Sequence, residues 1–503
     1  MMKVRKSLGL ISKVIFLVLV LSSVAFAGAF TDYGTSKNVN DDGNGKGIAF
    51  ADINNDGFVD MYVSNKGGAN KLLLNKGDGT FKDITATAGA GLDDAGLCMG
   101  SVFGDIDNDG LVDLYVPKGG RIEVEANKLF KNLGDGKFVE ITDKANVGGK
   151  NFSYGATMAD FDNDGFLDIY VANYGVGDGA KNILYRNNGD STFTDVTDVA
   201  GVGDKSWSWG AVFADVNNDG NVDIYVINGR DPAGEPNKLF ANNGDGTFSD
   251  ISKKAGVADA NWGLGASFAD IDNDGDLDLF ISNYVGPNKM FLNDGKANFT
   301  DISKTAKLDS KSWGKGPSFA DVNHDGFVDL YEGDCKVANQ MYINNGDNTF
   351  TDIADEVPAL KCDKVRTKGT AFADIDNDGD MDLYVVNWAA PNKLFVNDRN
   401  DNNFLEVKLT GIVSNADAIG SKVSIMKEGK LVAYRELQTA SGFCAQNQKI
   451  LHFGLDAANS YDVVVTFPSG SVSTMKNVKP GQILEITESA EKDETLSLLT
   501  TTK

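Results

Sequence analysis

An acidic nonapeptide recurs seven times at near-constant spacing, and a fixed period of this size restricts the chain to a repeat architecture. The first aspartates are Asp52, Asp105, Asp160, Asp215, Asp270, Asp321 and Asp374, separated by 53, 55, 55, 55, 51 and 53 residues. The shared pattern is D-x-[DN]-x-D-G-x-Φ-D, where Φ is apolar. Oxygens at positions 1, 3 and 5 can converge on one cation. Glycine at 6 supplies the left-handed turn, position 7 offers a backbone carbonyl, and Asp at 9 closes the shell. An all-oxygen set with several carboxylates suits Ca²⁺ better than a soft transition metal or the tighter octahedron of Mg²⁺.

The expected ligands are, loop by loop, Asp52, Asn54, Asp56, Phe58 and Asp60, then Asp105, Asp107, Asp109, Leu111 and Asp113. Next come Asp160, Asp162, Asp164, Phe166 and Asp168, then Asp215, Asn217, Asp219, Asn221 and Asp223. The last three sets are Asp270, Asp272, Asp274, Asp276 and Asp278; Asp321, Asn323, Asp325, Phe327 and Asp329; and Asp374, Asp376, Asp378, Asp380 and Asp382. Up to seven Ca²⁺ are therefore expected. Solvated turns also favour Asp, Asn and Gly, but seven clusters of carboxylates would repel themselves apart without a cation. Loops with Asn at position 3 carry one carboxylate fewer and are expected to empty first. An EF-hand is excluded, because position 12 is apolar (Val63, Val116) and the flanks read as strands.

The rest of the repeat reads as four short strands. A glycine stands five residues before each first aspartate (Gly47, Gly100, Gly155, Gly210, Gly265, Gly316, Gly369), where strands crowding a narrow axis exclude a side chain. Beyond the loop come an apolar strand, an N-K-L-F-x-N segment, a Gly-Asp-Gly turn and an F-x-[DE]-Φ strand. The fold class is all-β: a seven-bladed β-propeller over 28–400, followed by a small β-sandwich-like domain over 404–488 and a disordered tail, 489–503. The strand from Phe30 is expected to close the last blade, while the strand from Phe404 begins the second domain.

By this connectivity the links between blades lie opposite the metal loops. Trp207, Trp209, Trp262 and Trp313 fall in those links, Trp388 follows a second strand on the same face, and Tyr154 takes the place of Trp209 one blade earlier. Inter-blade packing accounts for such aromatics; an aromatic funnel that grips a glycan or protein is the sharper reading. Cys335 and Cys362 lie in loops on that face in neighbouring blades and are expected to form a disulfide.

Residues 1–27 read as a signal peptide: a basic start, an apolar run from Val14 and the Ala25-Phe-Ala27 cleavage pattern. The chain is then secreted, to the exterior, the cell surface or a periplasm, with no stable membrane insertion. The formal net charge of −25 disfavours nucleic acid and anionic membranes. The two histidines do not suggest catalysis: His324 reads as an exposed turn residue and His452 as a packed imidazole. No nucleophile elbow, zinc-protease motif or phosphate loop is present.

The loops resemble the calcium-binding FG-GAP and VCBS repeats of integrin-α-like propellers. Asn415-Ala-Asp-Ala-Ile-Gly420, Ser441-Gly-Phe-Cys-Ala-Gln446, Leu451-His-Phe-Gly-Leu455 and Thr466-Phe-Pro-Ser-Gly470 resemble the UnbV/ASPIC domain, with Ala416 where an arginine is common. The pairing resembles that of cartilage acidic protein and its bacterial relatives. It implies an extracellular, calcium-loaded propeller with a role in binding or adhesion; the expected partner is an extracellular protein or glycan, and no enzymatic activity is expected. The alternatives are a carbohydrate-active enzyme of the polysaccharide-lyase type or a quinoprotein on the same scaffold, and a matrix component that assembles through its C-terminal domain.

Overall fold

Each repeat folds as an antiparallel sheet of four consecutive strands. The third is typical, with Ser153–Ala159 innermost, then Asp168–Asn173, Ile183–Asn187 and Phe193–Asp195 outermost. The second strand is buried along its whole length, because both of its faces pack on neighbouring blades. The outer strand leads into one helical turn in the first four blades, Thr197–Ala200 in the third, which a reading in strands and turns alone missed. Asp195 accepts the Thr197 N–H, and the Thr197 hydroxyl accepts the Leu184 N–H at 2.9 Å, so the turn is tied to the third strand.

The computed structural model describes residues 30–490 and 494–496, except positions 40, 42, 120–124, 176–179, 230–234, 312, 363–364 and 400. The expected signal peptide lies outside the described residues. Seven four-stranded units form the ring, and their innermost strands contact one another in cyclic order. The last unit takes Arg366–Ala373, Asp382–Trp388 and Lys393–Asn397 from the end of the repeats. Its outer strand is Phe30–Asp32, paired antiparallel with Phe395–Asn397. Chain start and chain end thus share one blade, leaving no open seam. No described helix is long and apolar enough to cross a membrane.

The second domain stacks two sheets around an apolar core that includes Leu405, Val423, Phe453 and Val463. In one sheet Phe404–Thr410 lies between Leu451–Gly454 and Gln482–Thr487. The other is built on Lys422–Lys427 and Tyr461–Thr466. Within the segment expected to be a disordered tail, Glu494–Leu496 adds a parallel strand to Ser473–Met475, because an unpaired sheet edge offers backbone partners to any extended segment nearby.

The domains do not sit as beads on a string. The second packs on the metal-loop face of the ring and sends residues 436–448 down its channel. Innermost strands present unpaired N–H and C=O groups to the axis, and this plug satisfies them blade by blade. Ala445 and Gln446 pair in parallel with Ile48 and Ala49 of the first blade. The Gln446 amide accepts the Phe103 N–H at 2.7 Å and donates to the Phe103 carbonyl at 3.0 Å in the second. Thr439 bonds Met158 in the third, Glu436 accepts the Asp215 N–H in the fourth, and Gly442 donates to Ala266 in the fifth. Asn447 accepts from Ser318 and Phe372 in the sixth and seventh. The channel glycines make room for this strap as well as for each other: a Cβ on Gly47 would lie 2.5 Å from the Cys444 carbonyl oxygen.

Candidate metal centre

The seven acidic loops share one hydrogen-bond scheme, and it aims the carboxylates inward. In the third, Asp160 accepts the Asp164 N–H at 3.0 Å and the Gly165 N–H at 2.8 Å. Asp164 caps the Phe166 N–H at 3.0 Å. Asp168 takes the Phe161 N–H at 3.0 Å with one oxygen and the Asn187 N–H at 2.7 Å with the other. The same bonds recur in the fifth loop through Asp270, Asp274 and Asp278. Each oxygen that accepts one N–H keeps a lone pair for a cation.

Position 3 is different. The Oδ1 atoms of Asp107, Asp162, Asp272 and Asp376 are buried and have no hydrogen-bond partner among the described residues. A carboxylate oxygen so placed is costly unless a cation meets it. In those four loops the carboxylates at positions 1, 3 and 9 offer oxygens within 4.8 Å of one another, as in Asp160, Asp162 and Asp168. Burial, with repulsion from its neighbours, pushes Asp113 up to about 8, Asp160 and Asp270 up to about 7, and Asp105 up to about 6. The donor set therefore fits a hard divalent cation.

In the other three loops the position-3 amide turns its nitrogen inward: Asn54, Asn217 and Asn323 each donate to the position-5 carboxylate at 2.9 Å. Protein cations approach loops of both kinds: Lys422 of the second domain pairs with Asp215 at 2.7 Å in the fourth. Lys131 bridges Asp107 and Asp109, and Arg186 lies 3.9 Å from Asp162. Position 7 contributes side chains to the ring rather than to the site: Asp276 accepts from Asn218 of the preceding loop at 2.7 Å, and Asp380 accepts the Arg399 N–H at 2.6 Å.

Position 4, unassigned by spacing, links the centres. Its residues take the left-handed conformation with φ between 55 and 59° (Asn55, Asn108, Asn163, Asn218, Asn273, His324, Asn377), which asparagine tolerates best. Asn55 donates to the Gly110 carbonyl, Asn108 to Gly165, Asn273 to Gly326, and Asn377 back to Gly57, so neighbouring loops are stapled around the circle. His324 fills this place in the sixth loop. It is buried, not an exposed turn residue: Nδ1 lies 2.8 Å from Asp401 and Nε2 3.3 Å from Asp380 of the next loop. The second domain covers it there. His452 is packed 5.2 Å away, bonded to the Gly379 carbonyl at 3.0 Å, as expected. A second staple is the final asparagine of N-K-L-F-x-N, for example Asn187 Nδ2 to the Ile106 carbonyl of the preceding loop at 2.7 Å.

The opposite mouth carries the aromatic residues. Trp207, Tyr174, Tyr154, Trp209, Trp262, Tyr284 and Trp313 form a continuous arc, each ring centroid 4.3–6.1 Å from the next. Trp209 and Trp262 belong to innermost strands rather than to links. Trp388 stands apart, with Lys46 Nζ 4.1 Å from its ring centroid. Tyr174 and Tyr284, absent from the sequence-based set, bridge the tryptophans. All four cysteines are free thiols, so the expected Cys335–Cys362 disulfide is not formed. Cys335 turns to the mouth, where Lys368 Nζ lies 3.1 Å from its sulfur, while Cys362 packs on the core between the last two blades.

The FG-GAP-like repeat family matches residues 52–116, 121–171, 173–226, 215–281, 270–332 and 333–385, well over half the chain. The chain belongs to the FG-GAP-like repeat family. The ASPIC and UnbV family matches residues 411–493, the domain that seats on this FG-GAP propeller. Cartilage acidic protein 1 of Xenopus tropicalis is 27% identical over 481 residues, covering 88% of this chain and 73% of its own. The Homo sapiens protein is likewise 27% identical, covering 88% of this chain and 71% of its own. Among solved structures, YCF48 from Cyanidioschyzon merolae aligns with a TM-score of 0.44 at 9% identity, over 73% of this chain and 99% of that one. The stretches that resemble ASPIC and UnbV are the ones that dock. Asp417 accepts the Asp105 N–H at 2.8 Å and pairs with Lys449, and Gln446 holds Phe103.

Proposed function

We propose that the chain is a secreted binding protein whose propeller is held rigid by calcium and whose aromatic mouth is its ligand face. The observation that carries the calcium reading is the orphaned buried oxygen of Asp107, Asp162, Asp272 and Asp376, each beside two further carboxylates. Extracellular calcium modules bind with dissociation constants of roughly 10⁻⁴–10⁻³ M, which suits an exported chain. Calcium here is structural, since the second domain covers the loops and leaves the other mouth to a partner. The relatives named cartilage acidic protein support an extracellular role in binding or adhesion over an enzymatic one. Native mass spectrometry in millimolar calcium is expected to show up to seven ions, lost to EGTA with a fall in melting temperature. A folded, metal-free molecule of unchanged stability would refute the calcium reading. Release of unsaturated products from acidic polysaccharides would refute the non-enzymatic one.

A further inference from the structure

The position just before each channel glycine decides what lines the aromatic mouth. From the first blade to the seventh it is Lys46, Met99, Tyr154, Trp209, Leu264, Lys315 and Lys368. The ring is closed, so the sixth, seventh and first blades are neighbours, and the three lysines come together on one side. The aromatic arc occupies the other. Lys46, Lys315 and Lys368 are only 9, 8 and 7% exposed, although lysine is a residue type seldom buried without a counter-charge.

No carboxylate among the described residues answers them. None of the three is in an ion pair among the described residues, in a chain whose net charge is −25. The charges that act most strongly on Lys46 are Lys368, Lys315 and Lys66. Burial and Lys368 together push Lys315 down to about 7. Their neighbours are π faces and thiols: Lys46 and Lys368 over Trp388, Lys315 between Tyr284 and Phe443 of the plug, Lys368 beside Cys335. Cation–π contact eases such clustering but leaves the charge unneutralised. Trp262, Tyr284, Trp313, Lys315, Lys368 and Arg366 line one open pocket of about 330 Å³, within the range of small-ligand sites, about 300–1,000 Å³.

We propose that this pocket binds an anionic, ring-bearing ligand of the uronic-acid type, its carboxylate held by Lys315 and Lys368 and its ring stacked on the Trp262–Tyr284–Trp313 wall. The assignment rests on the reading of this mouth as the ligand face and gives that face its chemistry. Aromatic faces stack on the C–H side of a sugar ring, and clustered lysines with no carboxylate partner among the described residues select the acid over the neutral sugar. Phe443 of the plug packs into the same aromatic cluster and backs Lys315.

Tryptophan fluorescence and calorimetry on the calcium-loaded full chain test this with three probes: a galacturonate trisaccharide, the neutral galactose trisaccharide and inorganic sulfate. The galacturonate is expected to bind at least tenfold tighter than either of the others. Lys315→Gln and Lys368→Gln should each remove most of that preference, and Trp313→Ala should weaken the trisaccharide without changing sulfate. Unchanged calcium-dependent melting of each variant confirms that it folds. Equal binding of the acidic and neutral trisaccharides overturns the anion site while leaving the aromatic ligand face standing. Sulfate binding as tightly as the galacturonate overturns the ring requirement. No binding of any probe overturns the assignment, and the calcium dependence of stability then still reports separately on the wider reading.

Discussion

Replacing Asp270 by asparagine separates the two roles of a loop carboxylate. In the metal-free fold Asp270 is buried beside Asp272 and Asp274, and its acid is raised from 3.8 to about 7. A raised carboxyl favours the folded state below its unfolded value, and that contribution is lost as pH rises through the folded value. At pH 8 the displacement corresponds to about 4 kcal/mol of destabilisation, at about 1.4 kcal/mol per pH unit. At pH 5 it has shrunk to about 1.6 kcal/mol by the same arithmetic. Asparagine removes this penalty but presents one N–H₂ where the carboxylate accepts the Asp274 and Gly275 N–H groups. One unpaired donor costs about 1–3 kcal/mol. Asp270→Asn is therefore expected to be about 1–3 kcal/mol more stable than the parent in EDTA at pH 8, with the advantage gone by pH 5. Calcium reverses the logic. At a hundredfold excess over its dissociation constant a site adds about 2.7 kcal/mol, and a tenfold weaker variant loses about half of that gain. Thermal melting of parent and variant, at both pH values with EDTA or calcium, gives the four comparisons. A variant less stable than the parent in EDTA at pH 8, yet gaining as much from calcium, would refute the idea that these carboxylates are assembled for a cation.

Gln446→Ala leaves the Phe103 N–H and carbonyl unpaired in the channel and is expected to cost about 2–6 kcal/mol at fixed calcium by denaturant titration. Asn54→Asp, Asn217→Asp and Asn323→Asp should each raise calcium affinity at one loop, and those three sites of the parent should empty first in a chelation series followed by mass spectrometry. Alkylation of the denatured, unreduced protein should label four thiols, two of them Cys335 and Cys362; a mass short by one pair would restore the disulfide.

Much of the wheel is local chemistry, and so it is legible in one dimension. The D-x-[DN]-x-D-G-x-Φ-D spacing sets ligand geometry within nine residues. The alternation of loop, strand and turn sets blade order, and the surplus F-x-D strand at Phe30 marks the closing blade. Even the lysine positions are written plainly, one residue before a glycine in three of the repeats. What they mean depends on closure, which makes the sixth, seventh and first blades adjacent. The other surprises share that cause. His324 is buried because a domain beginning eighty residues later covers its loop, and Cys335 faces away from Cys362 because the two neighbouring blades present them to different layers.

Repeat number, blade order and the clustering of carboxylates in each loop followed from spacing alone, because each depends on residues within about one period of each other. The plugged channel, the stapled circle of loops and the half-cationic, half-aromatic mouth were decided only by tertiary structure. They join groups up to about 340 positions apart, as the Phe103 N–H to the Gln446 amide, and such pairings are chosen by which strand edges remain unsatisfied around a common axis.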